Sequence, residues 1–331
     1  MKAIGSTGCF FYAIFSEKIV EFTRLALFLQ TTPKNKLNMK QLFGVLILSV
    51  ISSITLMAQN ADVLKSDAIM QESRMQYLAA AELYEKAALL YEADAKTDAF
   101  SFFKAGQNYT KAKQYDKGLT MLNKAKENQY QEADLYLNFG DAYAGLKKFA
   151  EAEKELLDGK EKYPDQNTEF TKKLGYLFFN SGQYDKAVTY LTVALEQEPD
   201  NYTYHYLLGS SFERLKKYKE AIASLEKVLE IKPNHKNSIK KLGVINFKLT
   251  DYLYSKETKR YEAMKNPSRV DYHNSTKKLE QIAQGYTKAL PYLEKAHNIS
   301  PKDKAIISCL SVSYRRLKME EKAAKMAALL K

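Results

Sequence analysis

Residues 174–199 read LGYLFFNSGQYDKAVTYLTVALEQEP. Gly175 is followed by an aromatic ring three places on, at Phe178, and by another nine places on, at Tyr184. Ala187, Leu191 and Ala194 then continue at steps of three or four. Such steps put apolar side chains on one face of a helix. The polar run Ser181-Gly182-Gln183 separates two stretches of this kind, and Pro199 closes the second, because proline cannot continue a helix. The segment therefore reads as two short amphipathic helices joined by a tight turn.

The same pattern extends in both directions. Small residues preceded by an apolar one fall at Ala105-Gly106, Phe139-Gly140, Leu174-Gly175, Leu208-Gly209 and Leu242-Gly243, with glycine steps of 34, 35, 34 and 34. Leu310-Ser311 follows Gly243 by 68, two periods. Rings recur three places after the small residue, at Tyr109, Tyr143, Phe178, Phe212 and Tyr314. They recur nine places after it at Tyr115, Phe149, Tyr184 and Tyr218. Gly118, Ala152, Ala187 and Ala221 come next, then Leu122, Leu156, Leu191 and Leu225. Pro164, Pro199, Pro233 and Pro301 close units. One helix pair cannot bury its own apolar face, so units of this kind stack into a continuous core.

In these positions the chain resembles the tetratricopeptide repeat, over roughly residues 64–331. The resemblance implies an all-α solenoid, a right-handed superhelix of about seven helix pairs. A degenerate first unit is marked by Tyr77, Ala80, Tyr84 and Ala87. The last unit has Leu310, Ser311, Tyr314, Ala323 and Ala327 but no ring where its second helix should start, as capping units do. The sixth unit departs from the pattern. Its first helix begins at Leu242-Gly243, yet the second-helix signature waits until Tyr286, Ala289, Leu293 and Ala296, a delay of 34 residues. Residues 251–285 hold Tyr252, Tyr254, Tyr261 and Tyr272 among many charges, with Asn266-Pro267-Ser268 near the middle. The stretch reads as a helical insertion, two elongated helices joined at that turn, with a flexible polar loop as the rival reading. Pro291 should kink or start the helix that follows.

The N-terminus reads as an address. Met39-Lys40-Gln41, an apolar run from Leu42 to Met57 and the small Ala58 make a secretory signal peptide, residues 39–58. No cysteine follows, so no lipid anchor is expected. Residues 1–38 read as an upstream extension ahead of the true start at Met39. If they are translated, the run becomes a signal anchor with Lys34, Lys36 and Lys40 on its cytoplasmic side. In both cases residues 59–331 are exported, to the periplasm or cell envelope, and the membrane is touched only if the apolar segment stays uncleaved. The signal sequence, the lysine-rich repeats and the missing lipid site resemble envelope proteins of the Bacteroidetes group. Net charge is +12, of which residues 1–58 hold +4 and residues 59–331 hold +8. The basic residues are spread along the chain and interleaved with acids, which favours a solvated surface over nucleic-acid binding. Cys9 and Cys309 are the two cysteines. Cys309 reads as a small core residue.

No phosphate loop, nucleophile elbow or HExxH helix is present, and His205, His235, His273 and His297 show no metal-ligand spacing. The expectation is a non-catalytic chain with no cofactor, no metal and no small-molecule substrate. The resemblance places partner contacts on the first helix of each unit, which lines the inner surface of the stack. Carried over, these are Phe103, Gln107, Asp141, Lys172, Tyr176, Phe179, Tyr206, Glu213, Lys240 and Phe247, with Phe179 and Phe247 also fitted for packing between units. Asn138 and Lys173 suit a clamp for a C-terminal carboxylate, but Phe103, Gln107 and Glu169 stand where its other members belong. The expected function is a scaffold of the cell envelope that holds a peptide or partner protein. The alternative is a carbohydrate or cell-wall binding accessory subunit that uses the tyrosines of the insertion.

Overall fold

The computed structural model describes residues 61–93 and 96–330. The upstream extension and the signal segment lie outside the described residues. The chain divides into two compact units, Met1–Tyr130 and Gln131–Lys331. The first holds α1 (helical residues 61–73), α2 (Tyr77–Ala93), α3 (Ala99–Lys111) and α4 (Tyr115–Glu127). The second holds α5 (Ala133–Gly145), α6 (Phe149–Lys162), α7 (Asn167–Asn180), α8 (Tyr184–Gln197), α9 (Tyr202–Arg214), α10 (Tyr218–Ile231), α11 (Lys236–Glu262), α12 (Arg269–Ile299), α13 (Lys304–Arg316) and α14 (Glu320–Ala328). A short 3-10 turn, Pro164–Gln166, precedes α7. Consecutive helices pack in pairs, and no strand occurs among the described residues.

Local rules set the helix ends. The rings nine places after each small residue are the first residues of α4, α6, α8 and α10. Five first helices, α3, α5, α7, α9 and α13, close with the same cap. The backbone N–H groups of Gln114, Lys148, Gln183, Lys217 and Met319 donate to the carbonyls of Tyr109, Tyr143, Phe178, Phe212 and Tyr314. This bond satisfies an otherwise orphaned carbonyl and requires one left-handed residue at the turn. Gly182 takes that conformation with φ 78°. In the other four pairs a lysine takes it, Lys113, Lys147, Lys216 and Lys318, at φ 58–62°. At the opposite end, Asp98, Asn201 and Asp303 accept from backbone N–H groups of the first turns of α3, α9 and α13.

Within a pair the small residue sets how closely the helices lie. A Cβ built on Gly106 would stand 2.7 Å from Leu122 Cγ and 2.9 Å from the Leu122 backbone nitrogen. Gly140 meets Leu156 at 2.6 Å, Gly175 meets Leu191 at 3.0 Å and Gly209 meets Leu225 at 2.8 Å. All four leucines are buried. Around these contacts the rings fill the core of the second unit, where Phe170, Leu174, Phe178, Leu191 and Tyr204 form one cluster. A second cluster joins Ile239, Leu293, Ile306, Leu310 and Tyr314. Cys309 lies in it, and burial pushes its thiol up to about 11.

The insertion is helical. α11 runs 27 residues and α12 runs 31, against 13 or 14 in α3 to α10. Gly243 meets Leu293 as the other glycines meet their leucines, with Cδ2 at 2.9 Å, so the 34 extra residues leave the repeat contact in place. Beyond it, Gly285 lies against Thr250 and the Tyr286 hydroxyl donates to Asp251 at 3.0 Å. Farther out Glu257, 3% exposed, accepts from Arg260 and from Ser275 across the hairpin, and pairs with Lys278 at 2.7 Å. The Arg260 and Lys278 bonds hold its carboxyl down near 2. Ser268 and Asp271 form a reciprocal capping box at the start of α12. Pro291 lies inside α12, 22 residues after its first residue, so of the two expected roles it does not start the helix. No helix of the described residues is long and apolar enough to cross a membrane.

Gly106→Ala should lower stability by about 1–2 kcal/mol, because overpacking against Leu122 outweighs the helix propensity gained. Adding Leu122→Ala should cost less than the two single changes summed, which chemical denaturation of the double variant would show. Lys216→Gly should act in the opposite direction and raise stability by about 1 kcal/mol, since glycine carries no left-handed strain. An unchanged thermal midpoint would count against that reading of the turn.

Candidate functional site

In the second unit α5, α7 and α9 touch in sequence, and α11 touches α13, so first helices form one continuous face. Charges lace this face together. Lys173 bridges α7 to Asp141 on α5 at 2.5 Å, and Lys241 bridges α11 to Glu213 on α9 at 2.5 Å. Lys248 also reaches Glu213, at 3.6 Å. Lys240 pairs with Asp303, the cap of α13. Lys172 pairs with Glu169 and with Glu198, whose other oxygen accepts from Asn201. The bonds to Glu169 and Glu198 push the Lys172 ammonium up, and the bond from Lys172 holds the Glu198 carboxyl down. In the first unit Lys104 and Lys111 both reach Glu72. Partly exposed pairs of this kind contribute roughly 0–1 kcal/mol each, so an incoming charged group can replace one at low cost.

Between the bridges lies a group of rings. Tyr176 on α7 meets the buried Tyr204 edge-on at 5.8 Å between centroids. Tyr206 on α9 stands edge-on to His235 at 5.1 Å, and Tyr202 flanks the same imidazole at 5.7 Å. Lys232 lies over the Tyr202 ring at 4.4 Å and donates to its hydroxyl, which holds that phenol below its ordinary range. Tyr176, Tyr202 and Tyr206 are each partly exposed. His235 caps α11: its Nδ1 accepts from the Ser238 backbone. Burial, and then the nearby Lys232 charge, hold the imidazole below its usual 6.5.

Several expected contact positions have other tasks. Phe103 is 3% exposed and stacks on Tyr130 at 4.4 Å, so it is core and not lining. Phe179 packs edge-on to Tyr184, and Phe247 tilts against the buried Tyr286. For both rings the packing reading describes what they touch. Gln107 accepts from Lys104. Asp141, Glu213 and Lys240 bridge neighbouring units, and Lys172 is paired within its own, rather than standing free. Tyr176 and Tyr206 keep an exposed part on the face. Asn138 donates to the Asp134 carbonyl and Lys173 is taken by Asp141, so neither is poised for a carboxylate clamp. In the insertion Tyr254 lies under Arg316 at 4.1 Å and Tyr261 meets Tyr272 edge-on. Tyr252 and Tyr272 are each 60% exposed.

Sequence reading passed over Tyr202, Lys232 and His235. Their signal was positional: Asp98, Asn201, His235 and Asp303 all stand eight places before the small residue of their units. That is where a first helix is capped, but histidine is not an expected cap.

The tetratricopeptide repeat family model matches residues 172–236. A search of curated proteins finds no match. Among solved structures, the C-terminal part of a TPR repeat-containing protein from Cytophaga hutchinsonii aligns with a TM-score of 0.58 at 16% identity, over 82% of this chain and 93% of that one. YrrB, described as a TPR protein with an unusual peptide-binding site, aligns with a TM-score of 0.44 at 23% identity, over 53% and 88%. MamA of AMB-1 aligns with a TM-score of 0.45 at 20% identity, over 61% and 92%. The fold is that of a tetratricopeptide-repeat α-solenoid, with seven helix pairs among the described residues and the sixth pair elongated.

His235 gives a pH test. Its folded pKa is depressed, so the unfolded chain takes up a proton first as pH falls. The stability it contributes is present above about pH 6.5 and is lost below it. His235→Asn keeps a capping side chain and removes the titration. The thermal midpoint of the natural protein should therefore fall more steeply than that of the variant between about pH 8 and pH 5. Parallel curves would refute the assignment.

Proposed function

We propose that this chain is a non-catalytic scaffold of the cell envelope that holds a peptide or partner protein on the first-helix face of residues 131–331. The observation that carries the reading is the ring group of Tyr176, Tyr202 and Tyr206, partly exposed between exchangeable ion pairs. Rigid tyrosines give a partner apolar area and a hydroxyl at small entropic cost, and such rings dominate protein contacts. Lys172, Lys232 and Lys240 around them favour an acidic or carboxylate-bearing segment. An extended segment suits a row of parallel helices better than a compact metabolite does. The envelope assignment rests on the apolar run 42–58 and Ala58.

Photo-crosslinkers placed at Tyr176 and Tyr206 in cells should give protein adducts, whereas one at Lys216 on the turn edge should give none. Tyr176→Ala with Tyr206→Ala should lower partner recovery about tenfold. No adduct from either ring position, with retention on a glycan array, would favour the carbohydrate reading. N-terminal sequencing of the native protein should begin at Gln59, and recovery of an uncleaved chain in the cytoplasm would sink the envelope assignment.

A further inference from the structure

The elongated sixth pair forms an arm. Leu293 of α12 stays in register with Gly243, so the normal second helix corresponds to Tyr286 onward. The seventeen residues of α12 before Tyr286 reach about 25 Å past that level, at 1.5 Å per residue. Two contacts brace the arm's lower part: Arg316 over Tyr254, and Lys318 with Glu280 at 3.5 Å. Above Glu280, Glu257 and Ser275 bond across the hairpin and nothing outside the hairpin touches it in any described bond or ion pair.

The arm's outer part is strongly basic. Residues 256–278 hold seven Lys or Arg and three Asp or Glu, a net +4. That is half of the +8 carried by residues 59–331, in less than a tenth of their length. Two of the three acids are spent locally: Glu257 is buried on Arg260 and Lys278, and Asp271 closes the capping box with Ser268. Lys256, Lys259, Lys265, Arg269 and Lys277 are exposed and stand in no ion pair. Among them Val270 is 67% exposed and Tyr272 60%, both in the first turn of α12. The basic residues come from both helices and from the turn between them.

This combination fits a flat anionic surface met end-on. The tip is the short non-helical turn 263–268 between the two helices, with Lys265, Asn266 and Arg269 exposed at it. Five exposed bases that stand in no ion pair face one exposed acid, Glu262, so they suit an extended plane of negative charge. An exposed aliphatic and a tyrosine at the same end match the depth of lipid headgroups, where an apolar body and a hydroxyl are both satisfied. We propose that the arm tip, residues 256–278, docks onto an anionic phospholipid surface, with Lys259, Lys265 and Arg269 on the headgroups and Val270 entering between them. The first-helix face, on the repeat body, is left open for a partner.

The test uses the full chain with Cys9→Ser and Asn266→Cys, labelled at residue 266 with an environment-sensitive dye. Cys309 is buried and its thiol is held protonated, so it does not compete for the label. A reporter at the tip reads the arm itself, whatever the apolar run 42–58 does. Its emission should shift to the blue on vesicles of phosphatidylglycerol in phosphatidylcholine, and not on phosphatidylcholine alone. About 0.5 M salt should reverse the shift, since it shortens the screening length to a few ångströms. Lys259→Glu, Lys265→Glu and Arg269→Glu together should lower partitioning of the tip at least about a hundredfold, each basic residue near the surface being worth roughly fivefold and each added carboxylate being repelled besides. These positions are exposed, and an unchanged helical spectrum and melting point would confirm that the variant folds. A label that stays aqueous on anionic vesicles overturns the proposal, and so does an equal shift on neutral ones. A shift caused by soluble poly-glutamate but not by vesicles also overturns it, and gives the arm to an acidic protein.

Discussion

Every regular helix pair depends on one close approach. A glycine on the first helix lies under a leucine on the second, at a distance that leaves no room for a methyl group. The approach brings both backbones near enough for the flanking alanines and rings to interlock, and dispersion and burial then act over many atoms at once. The rings at the turn side serve two ends. Their side chains fill the gap left by the small residues, while their carbonyls accept the bond that closes the helix. A helix stop, a turn and a packing contact are thus tied to one position in the repeat, which is why the period varies by no more than one residue across the regular units.

The same constraint explains how the sixth pair accommodates 34 additional residues. Gly243 and Leu293 keep the regular contact, so the insertion cannot displace the stack and must leave it along the helix axes. What leaves is a hairpin too narrow to bury a large apolar core. It is held by Gly285 against Thr250, by Tyr286 on Asp251 and by the buried carboxylate of Glu257. A buried ion pair is a poor source of net stability but fixes register, since any slip of one helix would strand the charge. Two long helices facing each other with few large residues need such a device.

The face of the first helices and the arm differ in charge economy. On the face, Asp141 and Glu213 each take a lysine from the next unit and Asp303 takes one from the unit before, so the charges are largely spent in pairs and the partly exposed rings stand between them. On the outer arm Glu257 is buried and Asp271 is held in the capping box, while Lys256, Lys259, Lys265, Arg269 and Lys277 are left to solvent. One chain thus carries two kinds of surface, one of paired charges with partly exposed rings and one of unpaired positive charge.

The helix pairs, their period, the prolines that stop them and the position of the insertion were legible in the sequence, because they depend on steps of three and four and on residues with strong local preferences. Gly182 at its turn, Tyr184 at its helix start and Cys309 in the core all stand where local pattern puts them. The site was legible only in part. Position along a repeat says which helix a side chain belongs to, but not whether a neighbour covers it. Phe103 meets the expected register and is nevertheless sealed by Tyr130. Asp141, Glu213 and Lys240 meet it and are taken by partners 28 to 63 residues away in the chain. Tyr202 and His235 come together because the loops before two successive first helices are adjacent in space. Exposure and pairing depend on contacts between units, and those are decided by tertiary packing rather than by the order of residues within one unit.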